Sequence, residues 1–549
     1  MRQRISIYQV LPRLFGNVTT TNQKNGSYSV NGSGKLSDFT SERLRAIRDL
    51  GSTHIWYIGI IEHATKTAFG TKIPANHSAI VKGEAGSPYA IRDYYDIAPA
   101  LATDINQRMA EFELLIERTH NEGLGVIIDF VPNHLSRAYA SDAKPPYIND
   151  FGKNDNTQVD FDPNNNFYYL TGQTLTIPFG DNREDIPYSE YPAKATGNNR
   201  FTSHPTREDW YETVKLNYGI DLQNDWKTYY TPIPDTWHKM LNILTFWASK
   251  GIEGFRCDMA ELVPLEFWVW AIGQLRKTYP HILFVAEIYN PNRYKDFIKA
   301  GFDYLYDKVG LYDTLVKVLN GTTDTKAINY VLQSQEEYKN HLIRFMENHD
   351  EQRLASDFIC GDGIKAFPAM CLSILIDGSP FMTLFGQELG ERGMDEEGFS
   401  GLDGKTSIFD YWSLASIRNW LTDPSFNSPL RAQYQWVQNL ALTPLFTTGL
   451  FYNLTYLNPN YSKEGLFLFL RALPNEYALV VINFKEKAQT LEIPLPKHAF
   501  DTLQIPEDKT LLVTDLKDHT QTYATLTPEA PYRLKATGYG ATIHHFLLE

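Results

Sequence analysis

The chain has 549 residues, 43% hydrophobic and 21% charged, with a net charge of −14. At roughly 100–200 residues per domain, this length predicts two to four domains or one large barrel with additions. The composition excludes disorder, collagen-like structure and coiled coil, and the acidic balance disfavours a nucleic-acid partner, whose phosphates need concentrated Lys and Arg. In chain order, the N-terminus carries Arg2 and Arg4, but its apolar stretch is broken by Gln9 and Pro12. No signal-peptide core follows. No apolar run approaches the ~18 residues of a membrane span, so no membrane contact and a cytoplasmic location are expected. Ser6–Val10 predicts a first strand, followed by an Asn/Gly/Ser-rich loop over 17–34 and a helix near 41–50. Residues 53–60 read as a second strand, 105–122 as a helix and Gly125–Phe130 as a third strand. The repeated order of strand, helix and strand predicts parallel βα units, and the unbroken apolar runs suit strands buried on both faces.

The rhythm stops at Pro132. Residues 132–235 are rich in Asn, Asp, Pro, Gly and Tyr, and so long a stretch without periodicity predicts an inserted subdomain. The βα pattern resumes with a helix over 237–250. Strands follow at Gly254–Cys257, Leu283–Ala286, Tyr304–Tyr306, 342–346 and 381–385. The total of eight strands predicts a closed (β/α)8 barrel. Beyond Leu445, runs at 466–471, 477–484, 490–495, 509–515 and 541–547 read as antiparallel strands without helix signals. The predicted layout is therefore barrel (1–131), insertion (132–235), barrel (236–445) and a C-terminal β-sandwich (446–549). Cys257, Cys360 and Cys371 form neither a disulfide framework nor a zinc knuckle.

Barrel active sites sit at the carboxyl ends of the strands. The third, fourth, fifth and seventh strands end in DFVPNH, GFRCD, FVAE and RFMENHD. Each delivers a carboxylate, and two deliver a histidine. Arg256 and Asp258 are two residues apart, so both point to one side of a strand. A guanidinium there would keep Asp258 ionised, as a nucleophile at a sugar carbon must be. Glu287, at the end of an apolar strand, suits the protonated partner. Neighbouring strands can bring two carboxyls to the ~5–5.5 Å separation of a retaining glycosidase. Asp350 is a third acid, suited to binding hydroxyls and favouring an oxocarbenium-like transition state. Taken singly, each acid could be a turn former or cap, and Arg256–Asp258 could be a structural ion pair. Their coincidence on four strand ends is what those readings leave unexplained. The surplus of Tyr (33) over Phe (31) suits rings with one wet edge, as sugar-binding clefts use.

With these residues in view, the sequence resembles the α-amylase superfamily, glycoside hydrolase family 13. The motif regions are DFVPNH (129–134), GFRCDMAE (254–261), FVAEIY (284–289) and FMENHD (345–350), with IYQVLPRLFGN and HIWYIGI in the first two strands. The resemblance implies that Asp258 is the nucleophile of a double displacement, Glu287 the general acid/base and Asp350 the transition-state stabiliser. It implies that Arg256 positions the nucleophile, that His134 and His349 bind hydroxyls of the cleaved sugar, and that Tyr89 stacks beneath it. VKLNYG (214–219) is similar to the family's extra motif late in the inserted domain B. Two positions depart from the family pattern. Glu261 and Leu262 stand where many α-amylases carry Lys-His, the histidine's carbonyl joining Asn133 on a structural calcium. Here Asn133 is the one good candidate ligand, and Asp160 and Asp162 lie in a loop where turn duty is expected, so no metal is predicted. Gly86 and Ser87 stand where some exo-acting relatives place an acid, which tilts the reading toward endo action or short-oligosaccharide cleavage. The resemblance implies a hydrolase of α-1,4-glucosidic bonds in starch, glycogen or maltooligosaccharides, needing no cofactor and with an α-glucan as its partner. A transglycosylase or α-glucosidase on the same intermediate, and a non-catalytic glucan-binding homologue, are the alternatives. A phosphate-using barrel would need a Gly-rich cradle that the chain lacks at its strand–helix junctions.

Overall fold

A computed structural model describes residues 4–548 except 72, 180, 182, 424 and 529. Eight strands close into a barrel: β1 (Ser6–Val10), β2 (His54–Tyr57), β3 (Gly125–Phe130), β4 (Gly254–Cys257), β5 (Leu283–Ala286), β6 (Tyr304–Tyr306), β7 (Leu342–Phe345) and β8 (Phe381–Leu384). Each pairs in parallel with its chain neighbours, and β8 closes on β1. Nearly every strand residue is buried, which is why these runs are apolar throughout rather than alternating.

Local chemistry sets the helices between strands. Thr40 caps helix Ser41–Asp49 by accepting from the Arg43 backbone N–H, and Leu44 and Ile47 turn inward. In helix Arg108–Asn121, Phe112, Leu115, Ile116 and Thr119 make the buried stripe. The predicted helix over 105–122 opens with a separate 3-10 turn, Ile105–Gln107. The second strand is shorter than predicted: the backbone turns at Gly59 (φ +69°). Beyond it, Ile61–His63 pairs antiparallel with Ile91–Ile97, where the sequence predicts loop.

Between β3 and helix Asp235–Ala248 the strands are two or three residues long. His134–Ser136 pairs with Thr213–Lys215, Tyr169–Leu170 with Ala193–Lys194, and Ile220–Asp221 with Lys227–Thr228.

The C-terminal part holds β9 (Leu450–Asn453), β10 (Leu466–Leu473), β11 (Glu476–Asn483), β12 (Gln489–Ile493), β13 (Thr510–Asp515), β14 (Gln521–Thr525), β15 (Tyr532–Ala536) and β16 (Gly540–Leu547). A six-stranded antiparallel sheet runs β9-β10-β11-β16-β13-β14, and β12 pairs separately with β15. Alternate residues of β10 and β11 serve two cores. Phe467, Phe469, Val480 and Ile482 join the barrel's core. Leu468, Leu470, Leu479 and Val481 pack with Leu491, Ile493 and Leu534 of the β12–β15 pair. A sheet buried on both faces again reads as continuous apolar sequence. The region is not helix-free, as the sequence suggested: Lys497–Leu503 is helical and buries Ala499, Phe500 and Leu503. Among the described residues no helix is long and apolar enough to cross a membrane.

Candidate active site

Strand register brings the acids together. Arg256 on β4 lies opposite Asp129 on β3, and Cys257 opposite Ala286 on β5. The ladder continues past the strand ends: Asp258 N–H donates to the Phe130 carbonyl at 2.9 Å, and Glu287 N–H to the Cys257 carbonyl at 3.1 Å. Asp258 and Glu287 therefore emerge side by side. Both line one cavity of about 280 Å³ with Asp350, Tyr89, His134, Ser87, Trp210, Glu212 and Tyr289, at the small end of ligand-site volumes.

Arg256 is the hub. Its Nη1 donates to Asp258 Oδ1 at 2.8 Å, its Nη2 pairs with Glu287 Oε2 at 2.9 Å, and Asp129 Oδ1 lies 3.4 Å from Nη1. Its Nε donates to the Tyr306 hydroxyl at 3.2 Å. The rings of Trp56, Tyr89 and Tyr306 lie 5.2, 5.3 and 5.6 Å from the guanidinium. Burial disfavours its charge, but Glu287, Tyr306, Tyr89 and Asp258 outweigh that and keep Arg256 protonated. Asp258 Oδ2 is buried and has no hydrogen-bond partner among the described residues, so Arg256 clamps one carboxylate oxygen and leaves the other free.

Both oxygens of Glu287 are held. The Met259 backbone N–H donates to Oε2 and the Tyr289 hydroxyl to Oε1, each at 2.6 Å. Met259 reaches this position with φ +43°, a left-handed conformation that costs a non-glycine residue strain and is concentrated at working sites. Burial, then the facing Glu287 carboxylate, pushes the Asp258 carboxyl well above its ordinary range, against the pull of Arg256.

Asp350, after β7, is half-buried. Burial raises its carboxyl, but the adjacent His349 ring, Arg256 and Lys405 more than offset this and hold it at about 2. His349 Nε2 lies 3.0 Å from Asp350 Oδ2 and 2.7 Å from the Tyr89 hydroxyl. The Gln9 amide nitrogen lies 2.7 Å from His349 Nδ1. The Tyr89 ring stacks on His349 at 5.3 Å. His134 faces Trp210 at 5.2 Å, and burial with Lys215 and Lys82 nearby pulls it down to about 3.

All seven residues singled out in the sequence thus meet: five line the cavity directly, and Arg256 and His349 hold those that do. The sequence reading missed Lys82, which pairs with Glu212 at 3.0 Å, and it missed Trp210 and Tyr289; both ends of the Lys82–Glu212 pair lie in irregular chain without a motif. Gly86 admits no side chain, because a Cβ would fall 1.7 Å from the Ala64 carbonyl oxygen. Asp160 and Asp162 serve turns: Asp160 accepts from Thr171, and Asp162 from the Asn164 backbone N–H. Glu261 accepts from the Asn290 backbone N–H at 3.2 Å.

Residues 9–283, half of the chain, match the alpha amylase catalytic domain. The chain belongs to the alpha-amylase family. It is similar to Alpha-amylase 3 of Dictyoglomus thermophilum, with 24% identity over 59% of each chain. The chain spans from about a tenth to three fifths of the length of the curated relatives it matches. In fold it is similar to a maltogenic alpha-amylase of Thermotoga neapolitana, 18% identical with 99% of each chain covered and a TM-score of 0.64. It is equally similar to an alpha-amylase of Geobacillus thermoleovorans, 17% identical with 100% of this chain and 99% of the other covered and a TM-score of 0.65.

The charge balance around Asp258 makes a prediction for this alpha-amylase family member. If activity needs Asp258 ionised, its raised carboxyl places the acid limb of kcat/KM above the ordinary aspartate range. Arg256→Met removes the cation that opposes that rise, so the limb should move further up. A pH profile of the residual activity reads this directly, and an unmoved or lowered limb would show that Arg256 does not keep Asp258 ionised.

Proposed function

We propose that the chain is a retaining glycoside hydrolase that cleaves α-1,4-glucosidic bonds in starch, glycogen or maltooligosaccharides by double displacement. The observation that carries this reading is the asymmetric environment of Asp258, with Oδ1 clamped by Arg256 and Oδ2 buried without a partner. A buried oxygen with an uncommitted lone pair needs an explanation, and attack on an anomeric carbon supplies one. Arg256 also spans Asp258 and Glu287 with two nitrogens of one fork. That bridging suits the ~5–5.5 Å of a retaining pair better than the ~6.5–9.5 Å of an inverting one.

In the first step Glu287 gives its proton to the glycosidic oxygen as that bond breaks, and Asp258 Oδ2 bonds to the anomeric carbon. In the second step Glu287 takes a proton from water, whose oxygen displaces Asp258. The general-acid role requires a proton on Glu287 before the first step. Positive charge developing on the sugar ring favours the ionised form of the adjacent Asp258 and so that placement. Asp350, held ionised, supports the same positive charge and accepts from sugar hydroxyls. His134, which lines the cavity, binds hydroxyls of the same sugar; His349 holds Asp350 and Tyr89 in place, and Tyr89 stacks beneath the sugar.

The test is product analysis on amylose, pullulan and maltoheptaose. Sugars shorter than maltoheptaose, first released as α-anomers by NMR, are expected. Release as β-anomers would overturn the retaining mechanism. Products longer than maltoheptaose would instead identify a transglycosylase, in which a sugar resolves the same intermediate.

A further inference from the structure

Asn133 follows β3, immediately before His134, and its side chain is fully buried. Its Oδ1 accepts from Lys215 Nζ. Its Nδ2 donates to the Gly197 carbonyl at 2.9 Å and lies 3.1 Å from His134 Nδ1. Lys215 Nζ also donates to the Leu262 carbonyl at 3.1 Å. Leu262 ends the 3-10 turn Ala260–Leu262 that follows β4 and Asp258. Lys215 itself stands opposite His134 in the short ladder of the inserted stretch and is 3% exposed. One amine thus ties together the end of β3, the turn after β4 and the insertion.

We propose that Lys215 takes the place of a bound metal ion at this junction and, through Asn133, fixes the tautomer of His134. Asn133 Oδ1 and the Leu262 carbonyl are the oxygens that a calcium ion would use here, and both already accept from Lys215. Calcium needs six to eight oxygens, carboxylates commonly among them. The acids in reach by sequence, Asp160 and Asp162, are spent on turns. The site's residues therefore do not fit calcium. Burial pulls Lys215 down to about 7, and this does not undo the arrangement: a neutral amine keeps two N–H donors, one for each acceptor.

The consequence runs along a short chain of atoms. With Oδ1 committed to a donor, the Asn133 amide cannot flip, and its Nδ2 presents N–H to His134 Nδ1. Nδ1 must accept, so the neutral ring carries its proton on Nε2. The ring's hydrogen bond to the Tyr89 backbone calls for that same proton. Lys215 is thus a positioning residue for His134 and Tyr89, two walls of the cavity. Its effect on turnover rests on the function proposed above; metal content, melting and tautomer do not.

Protein purified without added metal should hold less than one calcium per chain, and its melting temperature should not move with EDTA or calcium chloride. Lys215→Met, which keeps the stem but not the donors, should turn a single Nε2–H signal of His134 in 15N-imidazole NMR into a mixture. It should also lower kcat/KM by about 10–100-fold, as loss of a supporting partner does. Ethylammonium, but not tetramethylammonium, which lacks N–H, should raise the melting temperature of Lys215→Ala. That rescue reads the donor role even if the Met variant does not fold. Stoichiometric calcium whose removal lowers wild-type melting would overturn the proposal. So would a Met variant with the wild-type tautomer, or rescue of Lys215→Ala by calcium rather than by ethylammonium.

Discussion

Asp258→Asn is expected to lose roughly four orders of magnitude or more in kcat/KM, about 5.5 kcal/mol at ~1.36 kcal/mol per tenfold, while melting no lower than the wild type. An amide is no nucleophile, so the covalent step disappears. Stability should hold for an electrostatic reason. Asp129, Asp258 and Glu287 surround one guanidinium, an excess of buried negative charge that already pushes Asp258 toward its neutral form. Asparagine keeps the shape and an oxygen for Arg256, and its amide relieves the repulsion. Steady-state kinetics on maltooligosaccharides and calorimetry of the same samples check both halves. Near-wild-type turnover would sink the nucleophile. Full loss of activity with a large drop in melting temperature would mean that Asp258 serves chiefly to anchor Arg256.

That electrostatic cluster was only partly visible in the sequence. Arg256 and Asp258 declare themselves, because two residues apart on a strand must share a face. The link from Arg256 to Glu287 and Asp129 depends on register between β3, β4 and β5, which follows only once the barrel is closed. The barrel strands were legible because burial on both faces leaves unbroken apolar runs such as VII and LFVA. The inserted stretch was not, because its strands of two or three residues are too short to show a period. Helix Lys497–Leu503 escaped for a similar reason: three buried residues in two turns look like any short apolar cluster. The segment VKLNYG stands out in the sequence, but nothing in it marks Lys215, whose partners Asn133 and Leu262 are remote in sequence. A charge whose acceptors come from other parts of the chain leaves no local trace, and the same holds for Lys82 and Glu212.

The acid/base role separates from the nucleophile's through the leaving group. Glu287→Gln should lower kcat/KM on maltooligosaccharides by about 10²–10⁴-fold, the usual worth of a general acid. On α-glucosyl fluoride, whose leaving group departs without a proton, the first step should be nearly unaffected. The variant should still fold, since glutamine can accept from the Met259 N–H with its oxygen and donate to the Tyr289 hydroxyl with its amide, matching both existing contacts. Its second step lacks a base for water, so the glycosyl-enzyme should accumulate. Azide, a nucleophile that brings no proton to remove, should then displace Asp258 from the anomeric carbon and release α-glucosyl azide, detectable by mass spectrometry and NMR. Equal losses on both substrates, with no response to azide, would move the proton-transfer role away from Glu287. The acceleration by azide also requires the covalent ester on Asp258, so a positive result tests both acids in one measurement.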